Sequence, residues 1–313
     1  MTDATTRRPF RFGIQVRASD SGPEWVEKAR RAEVLGYDTL QLADHFPSGY
    51  GVFSALAVAA AVTERLRVGT FVIDTDFRHP ALLAKEAATL DLLSGGRFEL
   101  GLGAGWMRSE YEQTGIPFDA AGVRISRLSE TIDVIRRLWN ESEVTHAGRF
   151  STLSGLTLTP RPATPDGPPI LVGGGGPKVL ATAARQADIV AFNPRATPDG
   201  SQDRQDMTAA AADRKRDWIC EAAGDRFEAL ELNIVVIRVI PTADRDREAT
   251  HLGEEFGLTT VETLESPHFL LGTAEEMAGT LRERRDRYGI SYISVTEPAL
   301  TNFGPVMSLL RGT

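Results

Sequence analysis

The sequence of 313 residues is short of cysteine: Cys220 is the only one, so no intramolecular disulfide can form and a reducing compartment is favoured. Positive charge is not in excess, since 35 Lys and Arg residues face 43 Asp and Glu residues. The net charge of −8 disfavours nucleic acid or an anionic membrane as the main partner. No apolar run reaches membrane length, and residues 1–8 lack a hydrophobic signal core. We therefore expect a cytoplasmic protein.

Several catalytic motifs are also absent. No histidine is spaced with further ligands in a metal-binding pattern, so no metal site is predicted. The G-x-S-x-G motif that presents a nucleophilic serine is missing. Glycines at positions 101, 103 and 105 alternate with other residues, which is not the G-x-G-x-x-G spacing of a dinucleotide fold.

What the sequence does contain is an alternation of short β-rich runs and amphipathic helices. Strands are predicted over residues 10–16, 39–42, 67–73, 97–103, 170–172, 189–192, 230–240 and 290–295. Helices are predicted over residues 23–35, 52–65, 80–93, 123–139, 178–185, 209–223 and 274–288. A short helix over 107–113 and a hairpin over 144–153 interrupt this repeat.

Eight strands with short helical connections predict a single domain over residues 1–313, an α/β protein with a (β/α)8 TIM barrel. A doubly wound sheet is the alternative, and the number of repeated units favours closure. Two longer segments, between the fourth and fifth strands and over residues 194–205, are expected as insertions at the C-terminal face. Barrel active sites lie on that face, so the residues that follow the strands are the functional candidates.

Four consecutive glycines, Gly173, Gly174, Gly175 and Gly176, join the fifth predicted strand to a helix that begins near Pro177. A backbone without side chains can approach a ligand closely and turn several N–H groups toward one point. The helix adds the positive end of its dipole. A tight strand-to-helix turn is the simpler interpretation, but four glycines cost more chain entropy than a turn requires. The pattern favours a loop that binds phosphate.

Two other strand ends contain candidate functional residues. Asp44 and His45 follow the second predicted strand, where they can form an acid–base pair or hydrogen bond a cofactor; a structural role is the alternative. The fourth strand ends in Gly101, Gly103 and Gly105. Either a flat ring lies against this surface without side chains, or the barrel rim packs closely there.

Together these residues resemble the luciferase-like monooxygenase superfamily, whose barrels bind FMN or the deazaflavin F420. The matching segments are residues 43–46 (ADHF), 68–72 (VGTFV), 78–80 (RHP), 101–106 (GLGAGW), 110–111 (EY) and 169–177 (PILVGGGGP). They are spread over nearly the whole chain, and only their combination is specific. The combination is most similar to the actinobacterial F420-dependent branch.

The resemblance implies where such a cofactor would lie. Its ring is expected over the second to fourth strands, backed by a non-proline cis peptide between Phe71 and Val72. Its phosphate is expected at the N–H groups of the glycine loop. The implied cofactor-binding residues are Asp44, His45, Thr70, Phe71, Val72, Gly103, Ala104, Gly105, Gly173, Gly174, Gly175, Gly176 and Pro177.

The sequence departs from one group of relatives in two places. In F420-dependent glucose-6-phosphate dehydrogenases a glutamate follows the strand-four glycines and a tryptophan follows the strand-two Asp-His pair. Trp106 and, approximately, Gly49 hold these places here, so oxidation of a sugar phosphate is not expected. Trp106 and Tyr111 are instead expected to shape the substrate pocket.

The resemblance implies an F420-dependent oxidoreductase that moves a hydride between the deazaflavin and a small organic substrate. His45 is expected to hydrogen bond the ring or exchange a proton, and Asp44 to orient His45. One alternative is an FMN-dependent monooxygenase that uses O2 and receives reduced flavin from a separate reductase. Another is a barrel that binds the cofactor without turnover. Because relatives are often dimers, a homodimer is expected.

Overall fold

The structure is a computed structural model, and it describes residues 8–197 and 203–313. The loop predicted over residues 194–205 therefore lies partly outside the described residues, as does most of the segment 1–8. The strands are β1 (Arg11–Val16), β2 (Thr39–Leu42), β3 (Arg67–Thr70), β4 (Ile73–Asp74), β5 (Phe98–Gly103), β6 (Val144–Ala147), β7 (Thr152–Leu156), β8 (Ile170–Gly174), β9 (Ile189–Phe192), β10 (Glu231–Val236), β11 (Arg238–Pro241), β12 (Phe269–Gly272) and β13 (Ile290–Thr296).

The helices lie between these strands and cover the outside of the sheet. They are α1 (Gly22–Leu35), α2 (Val52–Ala61), α3 (Pro80–Ser94), α4 (Arg108–Thr114), α5 (Ala121–Asn140), α6 (Pro177–Gln186), α7 (Ala209–Ala223), α8 (Arg245–Phe256), α9 (Thr260–Glu265), α10 (Ala274–Tyr288) and α11 (Gly304–Leu310). In the described part of the chain, no helix is both long and apolar enough to cross a membrane.

Parallel strands close into a barrel with eight positions. The hydrogen-bonded order β3-β2-β1-β13-β10-β9-β8-β5 returns to β3, because Val68 pairs with Phe98 between β3 and β5. β4 follows β3 in the same position of the barrel and pairs with the end of β5. Strands β2 and β9 are buried along their whole length, as expected of a parallel sheet covered by helices. The predicted (β/α)8 barrel is confirmed.

Local sequence explains where the helices begin and end. Ser21 caps α1 by accepting a hydrogen bond from the N–H of Glu24, and Gly36 ends the helix at φ +89°. Thr273 begins α10 with a capping box, and Gly289 ends that helix at φ +80°. Such boundaries are local, which is why the sequence predicts these two helices to within a residue.

Three sequence predictions need correction. The strand predicted over 67–73 stops at Thr70 and resumes as β4, since the chain bends at Phe71 and Val72. The strand predicted over 230–240 divides at Ile237: β11 leaves the barrel and pairs with β12 in a separate two-stranded sheet. The helix predicted over 52–65 ends four residues early, at Ala61.

A polar cluster fills the barrel interior at the N-terminal ends of the strands. The buried carboxyl group of Glu99 accepts hydrogen bonds from Arg11 and Arg67, each at 2.7 Å, and from the Tyr292 hydroxyl at 3.2 Å. Burial disfavours ionisation of Glu99, but the two guanidinium groups outweigh burial and hold its pKa below the usual value. The cluster therefore places an ion pair network inside the barrel, at the end opposite to the functional face.

We expect Glu99→Gln to lower the free energy of unfolding by about 3 kcal/mol, because it leaves the partly buried Arg67 without its counter-charge and Arg11 with Glu231 alone. Urea unfolding at neutral pH measures the loss. The matched control is Glu141→Gln, which breaks an exposed pair with Arg137 on the helix surface and is expected to leave the midpoint unchanged. Equal midpoints for the two variants would contradict a stabilising role of the cluster.

Candidate functional site

A cavity of about 770 Å³ opens at the C-terminal ends of the barrel strands. This volume is typical of sites that hold a cofactor or a drug-sized ligand. The cavity is lined by Asp44 just after β2, by Gly103, Gly173 and Val235 from β5, β8 and β10, and by Phe118 from the segment before α5. The cavity thus lies on the face where the sequence predicts the active site.

Most of the predicted site residues come together here. The cavity is lined by Asp44, His45, Phe71, Val72, Gly103, Ala104, Gly105, Trp106, Gly173, Gly174, Gly175, Gly176 and Pro177. The peptide bond between Phe71 and Val72 is cis, which confirms that sequence expectation.

Thr70 and Tyr111 are behind the cavity wall rather than on it. The Thr70 hydroxyl donates to the carbonyl of Gly101 at 2.8 Å and accepts from its N–H at 2.7 Å, which ties β3 to β5. Tyr111 is buried, and its hydroxyl donates to Asp74 Oδ2 at 2.6 Å. Tyr111 therefore holds a wall residue in place and does not form the substrate-pocket surface that the sequence suggested.

The glycines at the end of β5 make room for the neighbouring chain. A Cβ on Gly101 would overlap the carbonyl oxygen of Thr70, and a Cβ on Gly103 would lie 2.7 Å from Val72 Cγ2. Gly105 has φ +68°, which favours glycine. Close packing at the barrel rim accounts for Gly101. Gly103 and Gly105 additionally line the cavity.

The loop of four glycines is packed against the segment that follows β9. A Cβ on Gly175 would lie 2.5 Å from both the carbonyl oxygen of Asn193 and the backbone nitrogen of Arg195. A Cβ on Gly174 would overlap the side chain of Val179. Glycine is required at Gly175 because no side chain fits between these backbones, and at Gly174 a side chain would displace the branched side chain of Val179.

The same loop offers N–H groups to a ligand. Gly176 caps α6, and Pro177 is the first helical residue. Within the described residues, no acceptor bonds the N–H of Gly175 or Gly176. The N–H groups of Lys178 and Val179 are in the first helical turn, where a helix leaves them free. N–H groups that converge at a helix N-terminus bind anions, so this loop can hold a phosphate group.

A buried ion pair fixes the segment beside the loop. Lys215 Nζ lies 2.7 Å from Asp206 Oδ2, and both side chains are buried. Lys215 also donates to the carbonyl of Asn193 at 2.9 Å, and Asp206 accepts the N–H of Arg195 at 2.8 Å. The pair holds the backbone of Asn193 and Arg195 against Gly175. No sequence pattern indicates this role, since the two charges are nine residues apart.

His45 is paired with a carboxyl group that the sequence pattern did not single out. Glu110 on α4 is only 3% exposed, and its oxygens lie 3.0 and 3.1 Å from His45 Nδ1. Glu110 also accepts the N–H of Phe46 at 2.9 Å. Nδ1 therefore carries a proton and donates it, while Nε2 has no hydrogen-bond partner among the described residues. The His45 ring is edge-on to Trp106, with ring centroids 6.0 Å apart.

Asp44 is bound by Arg78 and not by His45. The guanidinium group of Arg78 donates to both carboxyl oxygens, with Nη2 2.9 Å from Oδ1. Asp44 Oδ2 also accepts the N–H of Asp74 at 3.4 Å. The expectation that Asp44 orients His45 is therefore wrong, because Arg78 occupies its carboxyl group and Glu110 occupies His45 Nδ1. Arg78 and Glu110 both fall in segments that carry the family resemblance, which is the signal that could have found them.

Asp74 at the end of β4 is a buried carboxyl group on the cavity wall. Burial raises its pKa to about 7, and the nearby carboxyl groups of Asp76 and Asp44 add to this effect. The hydrogen bonds from the Tyr111 hydroxyl and the N–H of Asp76 act in the opposite direction. Asp74 can therefore change its protonation state near neutral pH.

Comparison with known proteins agrees with this geometry. The family model of the luciferase-like monooxygenases matches residues 8–289. The F420-dependent glucose-6-phosphate dehydrogenase of Intrasporangium calvum is 37% identical over 190 residues, which cover 57% of this chain and 56% of that protein. The chain thus matches little more than half the length of this relative.

A longer match is found with the F420-dependent glucose-6-phosphate dehydrogenase of Nakamurella multipartita, which is 31% identical over 251 residues. These residues cover 77% of this chain and 71% of that protein. Among solved structures, the coenzyme F420-dependent tetrahydromethanopterin reductase of Methanopyrus kandleri has a TM-score of 0.77 at 19% identity. The superposition covers 97% of this chain and 99% of the reductase, and it is a likeness of fold.

We expect the raised pKa of Asp74 to give folding a pH dependence that Asp74→Asn removes. The folded chain keeps a proton on Asp74 from about pH 4, where an unfolded aspartate loses it, up to about pH 7. The free energy of unfolding of the unaltered protein must therefore fall, relative to that of the variant, as the pH rises through this interval.

Urea unfolding at about pH 5 and about pH 8 measures the change in this difference. Asp217→Asn, at an exposed position on α7, is the control and should show the same difference from the unaltered protein at both pH values. A pH-independent difference for Asp74→Asn would show that Asp74 ionises as an ordinary aspartate does.

Proposed function

The chain belongs to the luciferase-like monooxygenase family, and we propose that it is an oxidoreductase that moves a hydride between the deazaflavin F420 and a small organic substrate. One cavity combines a loop of free N–H groups with a histidine whose Nδ1 is held by Glu110, and this combination carries the proposal. The names of the two F420-dependent relatives support the choice of cofactor.

The residues around the cavity suit a ring with a phosphate-bearing tail. The N–H groups of Gly175 and Gly176 have no acceptor among the described residues and can hold the phosphate, and a Cβ at Gly175 would disrupt the loop that presents them. Gly103, Ala104 and Val72 offer a flat, largely apolar surface for a ring. A volume of about 770 Å³ leaves space for a small substrate beside it.

When bound, F420 supplies the site that accepts or gives up the hydride. A proton must move to or from the substrate to balance that hydride, and Nε2 of His45 is the atom proposed to carry it. Glu110 keeps the proton on Nδ1, so that Nε2 is free to accept a proton and can return it. Apolar side chains such as Phe118 and Ile125 line the cavity and would help to exclude water once the ligands are bound.

The other predicted site residues take supporting roles in this proposal. Asp44, neutralised by Arg78, fixes the backbone beside His45 through the N–H of Asp74. Trp106 lies edge-on to His45 and limits the space for the substrate.

Glucose 6-phosphate is not proposed as the substrate. A second phosphate would need free cationic side chains, and Arg78 is already bound to Asp44. Arg124 donates to the backbone carbonyls of Ala104 and Asp119 and packs on the ring of Phe118. Arg108, Lys178 and Arg195 also line the cavity, so the case against glucose 6-phosphate rests on Trp106 and Gly49, which stand where those dehydrogenases are expected to carry a glutamate and a tryptophan.

The choice of cofactor is tested by titrating the purified protein with F420 and with FMN, following fluorescence. We expect saturable binding of F420 and much weaker binding of FMN. Gly175→Ala should weaken F420 binding at least about tenfold, because the new Cβ displaces Asn193 and Arg195 from the loop.

The control for this titration is Gly122→Ala, where the added Cβ meets no other atom within 4 Å. It should bind F420 as the unaltered protein does. Preferential binding of FMN would contradict the proposal and favour a flavin-dependent monooxygenase.

The role of His45 is tested by His45→Ala in an assay of F420 turnover with the best substrate from a screen of small alcohols, aldehydes and enones. We expect kcat to fall about 100-fold or more while the Kd for F420 changes less than about threefold. Glu110→Gln should lower kcat less and shift its pH profile, because the amide holds Nδ1 without a charge.

Glu112→Gln, at an exposed position on the same helix, is the matched control and should leave kcat and its pH profile unchanged. Unchanged turnover in His45→Ala would remove His45 from the proposed proton transfer.

A further inference from the structure

His268 borders the cavity beside Val235 and Ile237. It precedes β12 and is only 2% exposed, yet its side chain lines the cavity together with Val235 and Ile237 at the end of β10. In the closed order of eight strand positions, β10 is four places from β3, which leads into the Phe71–Val72 peptide. Phe71 nevertheless packs in one apolar cluster with Val235 and Ile237, and His268 lines the cavity together with these residues.

The ring of His268 is held in one orientation. Its Nδ1 lies 2.9 Å from the carbonyl oxygen of Val235. A carbonyl group can only accept, so Nδ1 must carry the proton. The backbone around the ring is also fixed: Arg284 donates to the carbonyls of Ser266 at 2.6 Å and Phe269 at 2.8 Å. These hydrogen bonds hold the turn before β12 and the imidazole of His268 in place.

The ring is neutral over the ordinary pH range. Burial, helped by the nearby cations Lys215 and Arg284 and opposed by the hydrogen bond to Val235, lowers the pKa of His268 to about 3. Nε2 therefore has a lone pair and no proton. No described residue bonds Nε2. A buried acceptor that borders a cavity and has no protein partner is available to a ligand.

The surroundings narrow the kind of ligand. Val235, Ile237 and Phe71 are apolar and line the cavity beside His268, so the adjoining part of a ligand must be apolar. The lone pair of Nε2 would repel a carboxylate, and the positive charges of Lys215 and Arg284 would repel an ammonium group. A neutral donor remains, and a hydroxyl group is the smallest one.

We propose that Nε2 of His268 accepts a hydrogen bond from a hydroxyl group of the substrate, so that the cavity selects a neutral and largely apolar alcohol or phenol. Identifying this ligand as the substrate rests on the proposed function, whereas the acceptor subsite itself rests on the geometry of His268. His268 recognises the hydroxyl group by accepting its hydrogen bond. Because Nε2 carries no proton, it donates no hydrogen bond, and His268 takes no part in proton transfer.

The test compares phenol with anisole, which has the same ring but no hydroxyl proton, in NMR titrations of the F420-loaded protein. We expect phenol to bind about fivefold more tightly than anisole, as one hydrogen bond to a buried acceptor allows. His268→Phe should abolish this preference. His268→Gln, which can present an acceptor at a similar place, should keep part of it.

His251→Gln, at an exposed position on α8, is the matched control and should preserve the preference. Equal affinity for phenol and anisole in the unaltered protein, or an unchanged preference in His268→Phe, would overturn the subsite. F420 affinity is measured in every variant: failure of the unaltered protein to bind F420 counts against the proposed function, and the same phenol and anisole titrations are then run on the protein without cofactor.

A second measurement does not depend on any variant being folded. In the ¹⁵N-labelled protein we expect the Nε2 resonance of His268 to remain that of an unprotonated nitrogen down to about pH 5. Phenol should shift this resonance, and anisole should not. Protonation of Nε2 near neutral pH would contradict the acceptor role.

Discussion

The junction between β3 and β5 is the constraint on which the rest of the structure depends. Closing the barrel brings the carbonyl of Thr70 so near to β5 that a residue with a side chain at position 101 would overlap it. The Thr70 hydroxyl then binds both polar backbone groups of Gly101. The cis peptide at Phe71 and Val72 follows at once and forms one wall of the cavity. Barrel closure and the shape of the site are therefore decided by the same few atoms.

Around the cavity, charged side chains are mostly bound to other parts of the chain. Arg78 neutralises Asp44, and Lys215 neutralises Asp206, so each carboxyl group positions backbone instead of facing a ligand. His45 beside Glu110 and His268 beside Val235 each have one ring nitrogen that no described residue bonds. The proposed chemistry uses the first nitrogen for proton transfer and the second for recognition.

Much of the fold could be predicted from the sequence because its signals are local. Gly36 and Gly289 end helices where their backbone turns left-handed, and the strand over 189–192 is a short apolar run. The glycine loop was predicted for the same reason. Contacts between distant segments could not be predicted in this way: Glu110 reaches His45 across 65 positions, and Lys215 reaches Asn193 from a neighbouring helix. The position of Tyr111 behind Asp74 could not be predicted either, because the sequence does not indicate which side of the cavity wall a residue faces.

The two ends of β5 have different roles. Glu99, at the start, anchors an ion cluster inside the barrel, and Gly103, at the finish, lies at the mouth of the cavity. In barrels of this type the N-terminal end serves stability and the C-terminal end serves chemistry. A change of residue at Trp106 or His268 therefore leaves the ion cluster untouched. Over evolutionary time, this division lets related barrels acquire new substrates while the barrel itself stays folded.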